Sequence, residues 1–295
     1  MKTTDWQILT PASADWPPDW KHVSDPPAQV YVTGDPTVLR TPMLAIVGTR
    51  AASPRGLAVA QRLAREIAGR GWAVVSGLAL GIDGEAHAGA LAAGGTTVAV
   101  MGTGPERTYP GRHRALRAAI ERAGCCLTEY PPGAHGGGRW VFPRRNRLIA
   151  ALAKGVIVVE APQRSGALLT ANLALDLNRS VWAVPGPVDE PTWQGNLALL
   201  REGATLCAGA ADIDRELPPP QPPADTGLGP PLPQPGSAAR WIIDRLDLEG
   251  IALEELRARW PGNQAMWYEG LLALELAGLI RRLPGGRLAP SIWRS

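Results

Sequence analysis

Cysteine is nearly absent from this chain. Its three residues, Cys125, Cys126 and Cys207, fit neither the even count of a disulfide framework nor the spacing of a metal site. Two of them are adjacent in an apolar, strand-like run and read most simply as core filling. Long hydrophobic runs are also missing. Nothing approaches bilayer length, and the first residues lack the apolar stretch of a signal peptide. The expectation is a soluble, cytoplasmic protein in a reducing compartment, with no membrane contact, no metal and no cofactor. Net charge is small, only +3, but it is unevenly spread. Residues 44–180 carry 17 Lys/Arg against 8 Asp/Glu, a net of +9, so the remainder sums to −6. A basic central domain favours an anionic partner such as nucleic acid over a purely solubilising surface.

The common nucleotide and hydrolase loops are absent too. No Walker P-loop and no G-x-S-x-G elbow occurs. The turn Val47-Gly48-Thr49-Arg50-Ala51-Ala52-Ser53 lacks the second and third glycines of the G-x-G-x-x-G dinucleotide fingerprint and has an arginine instead. Gly102-Thr103-Gly104-Pro105 also misses that fingerprint, and proline there removes a donor. An arginine at a helix entrance suits a phosphodiester, being bidentate and always charged.

What is present is an alternation of short apolar runs with helical patterns. The strand candidates are Leu44–Val47, Ala73–Ser76, Thr97–Met101, Cys125–Thr128, Val156–Glu160 and Val181–Val184. Between them lie helical stretches at Gly56–Gly69, Gly84–Ala93, Arg112–Ala123, Asn146–Ala153 and Ala167–Leu177. Continuously apolar strands alternating with helices predict an α/β domain whose mostly parallel sheet is covered on both faces. Ligands bind such sheets at the carboxyl ends of the strands. Gly48, Gly77 and Gly102 all fall there, where backbone must come close to a ligand. Four domains are expected: an irregular lead-in over 1–43, pinned by Trp6, Trp16 and Trp20; the α/β domain over 44–215; a proline-rich linker over 216–236; and a small domain over 237–295. The last reads as three helices, Ser237–Asp247, Leu253–Arg259 and Asn263–Ala277, and a hairpin turning at Pro284-Gly285-Gly286, which suggests a winged helix. Its third helix contains no Lys or Arg. A protein-contact or packing role is therefore expected there rather than duplex reading, with Arg281, Arg282 and Arg287 of the wing as the cations nearest to hand.

The run Phe142-Pro143-Arg144-Arg145-Asn146-Arg147 puts three arginines in four positions. Such a cluster usually has an anion to hold; the plainer alternative is a solvated helix start. Few aromatics accompany the arginines, namely Tyr109, Trp140 and Phe142, so continuous base stacking is not expected. One or two flipped bases near the glycine turns remain compatible with it. Asp83 and His87, four apart, would share a helix face and suggest acid–base chemistry. The stronger reading has Asp83 capping the helix and His87 bonded to nearby backbone.

These residues resemble the DprA/Smf family. The likeness rests on Val47-Gly48-Thr49-Arg50; on Ser76-Gly77-Leu78-Ala79-Leu80-Gly81-Ile82-Asp83 with Ala86-His87; and on Tyr109-Pro110 and Phe142 to Arg147. Ser165-Gly166-Ala167-Leu168-Leu169-Thr170-Ala171 and Val184-Pro185-Gly186 complete it, all in the family's order between about Val30 and Ala208. The resemblance implies an extended Rossmann-like, doubly wound domain that binds single-stranded DNA in natural transformation, loads the recombinase RecA, hydrolyses no nucleotide and forms a homodimer. It implies DNA binding by Arg50 with Gly48 and Thr49, by the Ser76-Gly77 turn, and by Arg144, Arg145, Asn146 and Arg147. After Tyr109-Pro110 this sequence has Gly111-Arg112-His113-Arg114, so the cationic contact there falls to Arg112 or Arg114. A dimer interface is expected at Leu197, Leu199, Leu200 and Leu206, although that stripe equally suits intramolecular core. Many members have an N-terminal helical domain, and the stretch before Tyr31 is too short for one. The alternative, a Rossmann-like nucleotide-binding or nucleoside-monophosphate-processing protein, would carry Pro-Gly-Gly-x-Gly-Thr-x-x-Glu, a motif this sequence lacks.

Overall fold

The computed structural model describes residues 6–134, 141–220, 233, 237–246, 250–276, 279–283 and 286–290. Two compact units divide the chain, Met1–Ala224 and Asp225–Ser295. The first contains β1 (Gln7–Leu9), β2 (Val30–Gly34), β3 (Met43–Val47), β4 (Ala73–Ser76), β5 (Thr97–Val100), β6 (Cys125–Thr128), β7 (Gly155–Val158), β8 (Ser180–Ala183) and β9 (Thr205–Leu206). Its helices are α1 (Pro54–Ala68), α2 (Ile82–Ala92), α3 (Arg114–Ala123), α4 (Val141–Leu152), α5 (Gly166–Asp176), α6 (Gln194–Arg201) and α7 (Ala210–Asp214).

The strands form one sheet in the order β1-β2-β6-β5-β4-β3-β7-β8-β9. From β6 to β9 every neighbouring pair is parallel. Strands β3 to β7 are buried along their whole length, as a sheet covered on both faces requires. On one face Leu63 and Ile67 of α1 pack with Trp182 and Trp193; on the other, Leu148 and Ile149 of α4 and Ala171 of α5 pack with Trp20. Helix α1 shows why its segment folds so. Ser53 caps it by accepting the Gly56 N–H at 3.1 Å, Pro54 opens it, and Gly56, Ala60, Leu63, Ala64 and Ile67 make one buried stripe.

The chain fills β3 to β6 on one side of the sheet and β7 to β9 on the other. The order therefore reverses between β3 and β7, and a crevice opens beyond their carboxyl ends, where doubly wound sheets take ligands.

The lead-in over 1–43 is not irregular. Its strand β2 pairs antiparallel with β6, Tyr31 opposite Thr128, and β1 pairs antiparallel with β2, Gln7 opposite Val32. Trp20 is fully buried beneath α4 and stacks edge-on with Trp16 at 4.9 Å. Asp19 fastens it by ion pairs to Lys154 and Arg179, at 2.7 and 3.1 Å. These partners lie far off in sequence, and local periodicity does not reveal them.

The second unit holds α8 (Ala238–Ile243), β10 (Ile251–Ala252), α9 (Leu253–Ala258), α10 (Gln264–Leu276), β11 (Ile280–Leu283) and β12 (Arg287–Pro290). Its sheet is antiparallel in the order β10-β12-β11. Ile242, Leu256, Trp267, Leu274 and Leu288 form the core. Three helices and a terminal hairpin are the elements expected of this tail, with the first helix ending at Ile243, short of Asp247. On α10 the exposed side chains include Met266, Tyr268 and Leu272. Arg287 donates to the Gly250 carbonyl. Most of the expected linker, 221–232 and 234–236, lies outside the described residues, as do Trp140, Asp247, Ala277, Pro284 and Gly285 and the side chains of Arg281 and Arg282. No described helix is long and apolar enough to cross a membrane.

Candidate nucleic-acid interface

The turn after β3 is built by close packing. A Cβ on Gly48 would stand 2.4 Å from Ile82 Cγ1 and 2.8 Å from the Glu160 carbonyl oxygen, so this position needs glycine. Thr49 is held from both sides: its N–H donates to Glu160 O at 2.7 Å and its carbonyl accepts the Ile82 N–H at 3.3 Å. The next side chain, Arg50, is thereby turned outward. Its guanidinium lies 4.4 Å over the ring of Phe142, and that ring is 5.9 Å from the ring of Tyr109. Cation–π stacking of this kind orders an arginine while leaving its donor edge free.

Two cavities meet at Arg50. A small one, about 40 Å³, is lined by Arg50, Gly77, Gly102, Tyr109 and Phe142. A larger, open one of about 330 Å³ occupies the switch point and is lined by Arg50, Phe142, Asn146, Arg164, Ser165 and Gly166 among others. Asn146 donates to the Gly166 carbonyl at 3.1 Å, tying α4 to the start of α5. Ser165 caps α5, accepting the N–H groups of Ala167 and Leu168.

The arginine run does not sit on a turn. Helix α4 begins at Val141, so Arg144, Arg145 and Arg147 are helical and point in different directions. Arg144 is 59% exposed and pairs with Glu129 at 2.6 Å. Arg147 is buried and pairs with the same Glu129 carboxylate and, at 3.5 Å, with Asp25. Arg145 is buried at the wall of the larger cavity, as is Asp83; it donates to the Val100 carbonyl, lies against Gly77, and burial pulls its pKa down to about 10. Much of the cluster's charge is thus offset inside the protein.

Ser76 is likewise internal, its hydroxyl donating to Ile46 O at 2.7 Å. Gly77 opens a turn in which Leu78 adopts φ 56°, a left-handed conformation costing a residue with a side chain roughly 1–2 kcal/mol. Asp83 does not cap α2. Its Oδ2 instead accepts the Gly77 and Ala79 N–H groups at 3.2 and 3.4 Å, and burial raises its pKa above the ordinary value. Arg112 and Arg114 are both exposed at the start of α3 and line neither cavity. Between them His113 reaches the site, its Nδ1–H donating to the Leu78 carbonyl at 3.1 Å.

His87 is fully buried. The Thr97 hydroxyl gives its hydrogen to Val74 O, so it must accept from His87 Nδ1–H at 2.7 Å, leaving Nε2 without a partner. Burial, with the charges of His113 and Arg145, lowers the His87 pKa to about 3. An internal imidazole that stays neutral has no reach to a substrate.

Of the leucine stripe, Leu199 is core, Leu197 and Leu200 are half-buried, and Leu206 is exposed on the edge strand β9. Sequence reasoning overlooked the stack of Arg50 on Phe142 and the place of Arg164, whose only local signal is Arg-Ser-Gly ahead of a helical pattern. Among the described residues no cluster of His, Cys, Asp and Glu is arranged to hold a metal ion.

Comparison with known proteins places this arrangement. The chain is 40% identical over 210 residues to the DNA processing protein DprA of Bacillus subtilis, covering 70% of each sequence. The X-ray structure of DNA processing protein A from Streptococcus pneumoniae superposes with a TM-score of 0.69 at 36% identity, covering 72% of this chain and 74% of that one. DNA processing protein A from Helicobacter pylori, described for its single-stranded DNA binding mode, gives 0.65 at 30% identity, covering 72% and 97%. Residues 7–218, which contain all nine strands of the large sheet and every residue of both cavities, match DNA recombination-mediator protein A, and the chain belongs to that family.

Proposed function

We propose that the α/β unit binds single-stranded DNA, and that the protein acts in DNA processing during transformation by handing the strand to RecA without hydrolysing nucleotide. The observation that carries this is Arg50: an exposed guanidinium, stacked on Phe142, at the mouth of the cavity over the switch point. Phosphate neutralisation by Arg50, with Arg112, Arg114 and Arg144 as further exposed cations of the same unit, supplies sequence-independent affinity. Phe142 and Tyr109 offer ring faces for one or two bases, not a continuous platform. The named activities of the Bacillus and Helicobacter relatives support the same reading.

The alternative, a site for a nucleoside monophosphate, has a physical obstacle. In such folds the phosphate meets the N-terminus of the first helix, and here Glu160 already occupies it. Oligo-dT titrated against matched duplex over a range of salt tests the proposal. Preferential, salt-weakened binding of the single strand is expected. Equal affinity for the duplex, or release of free base from nucleoside monophosphates, overturns it. A homodimer through the β9 end of the sheet, with Leu206 exposed there, belongs to the same proposal. Sedimentation equilibrium showing only monomer at micromolar concentration removes that part.

A further inference from the structure

The strained turn from Gly77 to Ala79 forms part of the lining of both cavities, and three side chains hold it. Asp83 Oδ2 accepts two of its N–H groups, and His113 donates to its middle carbonyl. Arg145 covers the open Cα face of Gly77, so closely that a Cβ there would stand 1.9 Å from Nη1. The same guanidinium donates to Val100 O, joining the ends of β4 and β5. Asp83 and Arg145 are only 5% and 4% exposed, and each feels the other's charge. A conformation such as that of Leu78 persists only where its surroundings over-determine it.

We propose that Asp83 and Arg145 are positioning residues for the DNA site: they clamp the Gly77–Ala79 turn beneath Arg50 and Phe142, and Arg145 shapes the pocket instead of neutralising a phosphate. This rests on the single-stranded DNA reading above. A guanidinium that grips a phosphate presents its N–H fork to the ligand. That of Arg145, 4% exposed at the wall of the larger cavity, spends Nη1 on the Val100 carbonyl and lies against the face of Gly77, with Nε unpartnered, whereas Arg50 is exposed.

The two roles predict opposite signs for Asp83→Asn. If Arg145 touched phosphate, removing a nearby anion would leave binding unchanged or tighter. If the pair is a clamp, breaking it leaves a buried charge without its counterpart, and binding weakens.

The experiment is a salt-dependent oligo-dT titration of the full chain with Arg50→Ala, Asp83→Asn and Arg145→Lys. Asp83→Asn and Arg145→Lys are each expected to bind at least about tenfold more weakly, with the log–log salt slope of wild type. Arg50→Ala is expected to lose about 0.7 from that slope. Amide exchange in the DNA-free protein gives a second readout. Gly77 and Ala79 should exchange faster in Asp83→Asn while the amides of β3 and β7 keep their protection. Wild-type affinity in either clamp variant, a slope reduced as in Arg50→Ala, or unchanged exchange at Gly77 and Ala79 overturns the clamp. If Asp83→Asn does not fold, Arg145→Lys decides by the same criteria. Failure of wild type to bind oligo-dT defeats the DNA reading alone, because amide exchange still judges the clamp.

Discussion

Glu160 closes the first turn of α1 by accepting from Ser53 twice, from its amide at 3.0 Å and its hydroxyl at 2.8 Å. Gly56 makes the room, since a Cβ there would lie 1.9 Å from Glu160 Oε2. The positive end of the helix therefore already holds an anion, fully buried. Glu160→Gln keeps the shape but weakens a charge-assisted pair of bonds. It should lower unfolding free energy by about 1–3 kcal/mol in urea denaturation. A change below about 0.5 kcal/mol, the size of an ordinary surface substitution, contradicts this.

Arg50 and Phe142 should separate in the salt dependence of binding. Arg50→Ala removes a phosphate contact and is expected to weaken oligo-dT binding while reducing the log–log salt slope by about 0.7. Phe142→Ala removes a ring face, worth about 1–3 kcal/mol per stacked base, and should leave the slope nearly intact. Titration of both variants in parallel checks this. Identical slopes for the two variants contradict the division of labour.

His87 makes a pH prediction. The unfolded chain protonates this imidazole below its ordinary value of 6.5, while the folded protein resists until about 3. Between those values the unfolded state binds more protons, so stability falls as pH falls, by up to about 1.4 kcal/mol per pH unit. Asp83, raised by burial, contributes with the opposite sign, so the comparison must be with a variant. His87→Leu should flatten the pH dependence of urea stability between 6.5 and 3. A gap between the two proteins that does not vary with pH disproves the buried neutral histidine.

The tail is predicted to be dispensable for gripping the strand. Residues 237–295 carry 8 Lys/Arg against 7 Asp/Glu, and α10 has no cation. Deleting residues 236–295 should leave oligo-dT affinity within tenfold of full length in the same buffer. A larger loss, beyond about 1.4 kcal/mol, assigns the tail a part in holding DNA.

Sequence by itself specified the parallel sheet, because runs such as Leu44–Val47 and Val156–Val159 are apolar throughout and suit strands buried on both faces. It also located the Gly48 turn and the family motifs, whose order needs no third dimension. Tertiary structure alone decided which arginines are free. Arg144, Arg145, Arg147 and Arg50 are equal as letters, yet Glu129 offsets two of them, Arg145 is internal opposite Asp83, and Arg50 remains outside on Phe142. The same holds for β2, which became sheet by pairing with β6, and for β1, which pairs with β2 in turn, rather than through any period of their own. Hydrophobic periodicity is local and survives in a string of residues. Charge compensation and edge pairing are sums over neighbours in space, and only the folded chain brings those neighbours together.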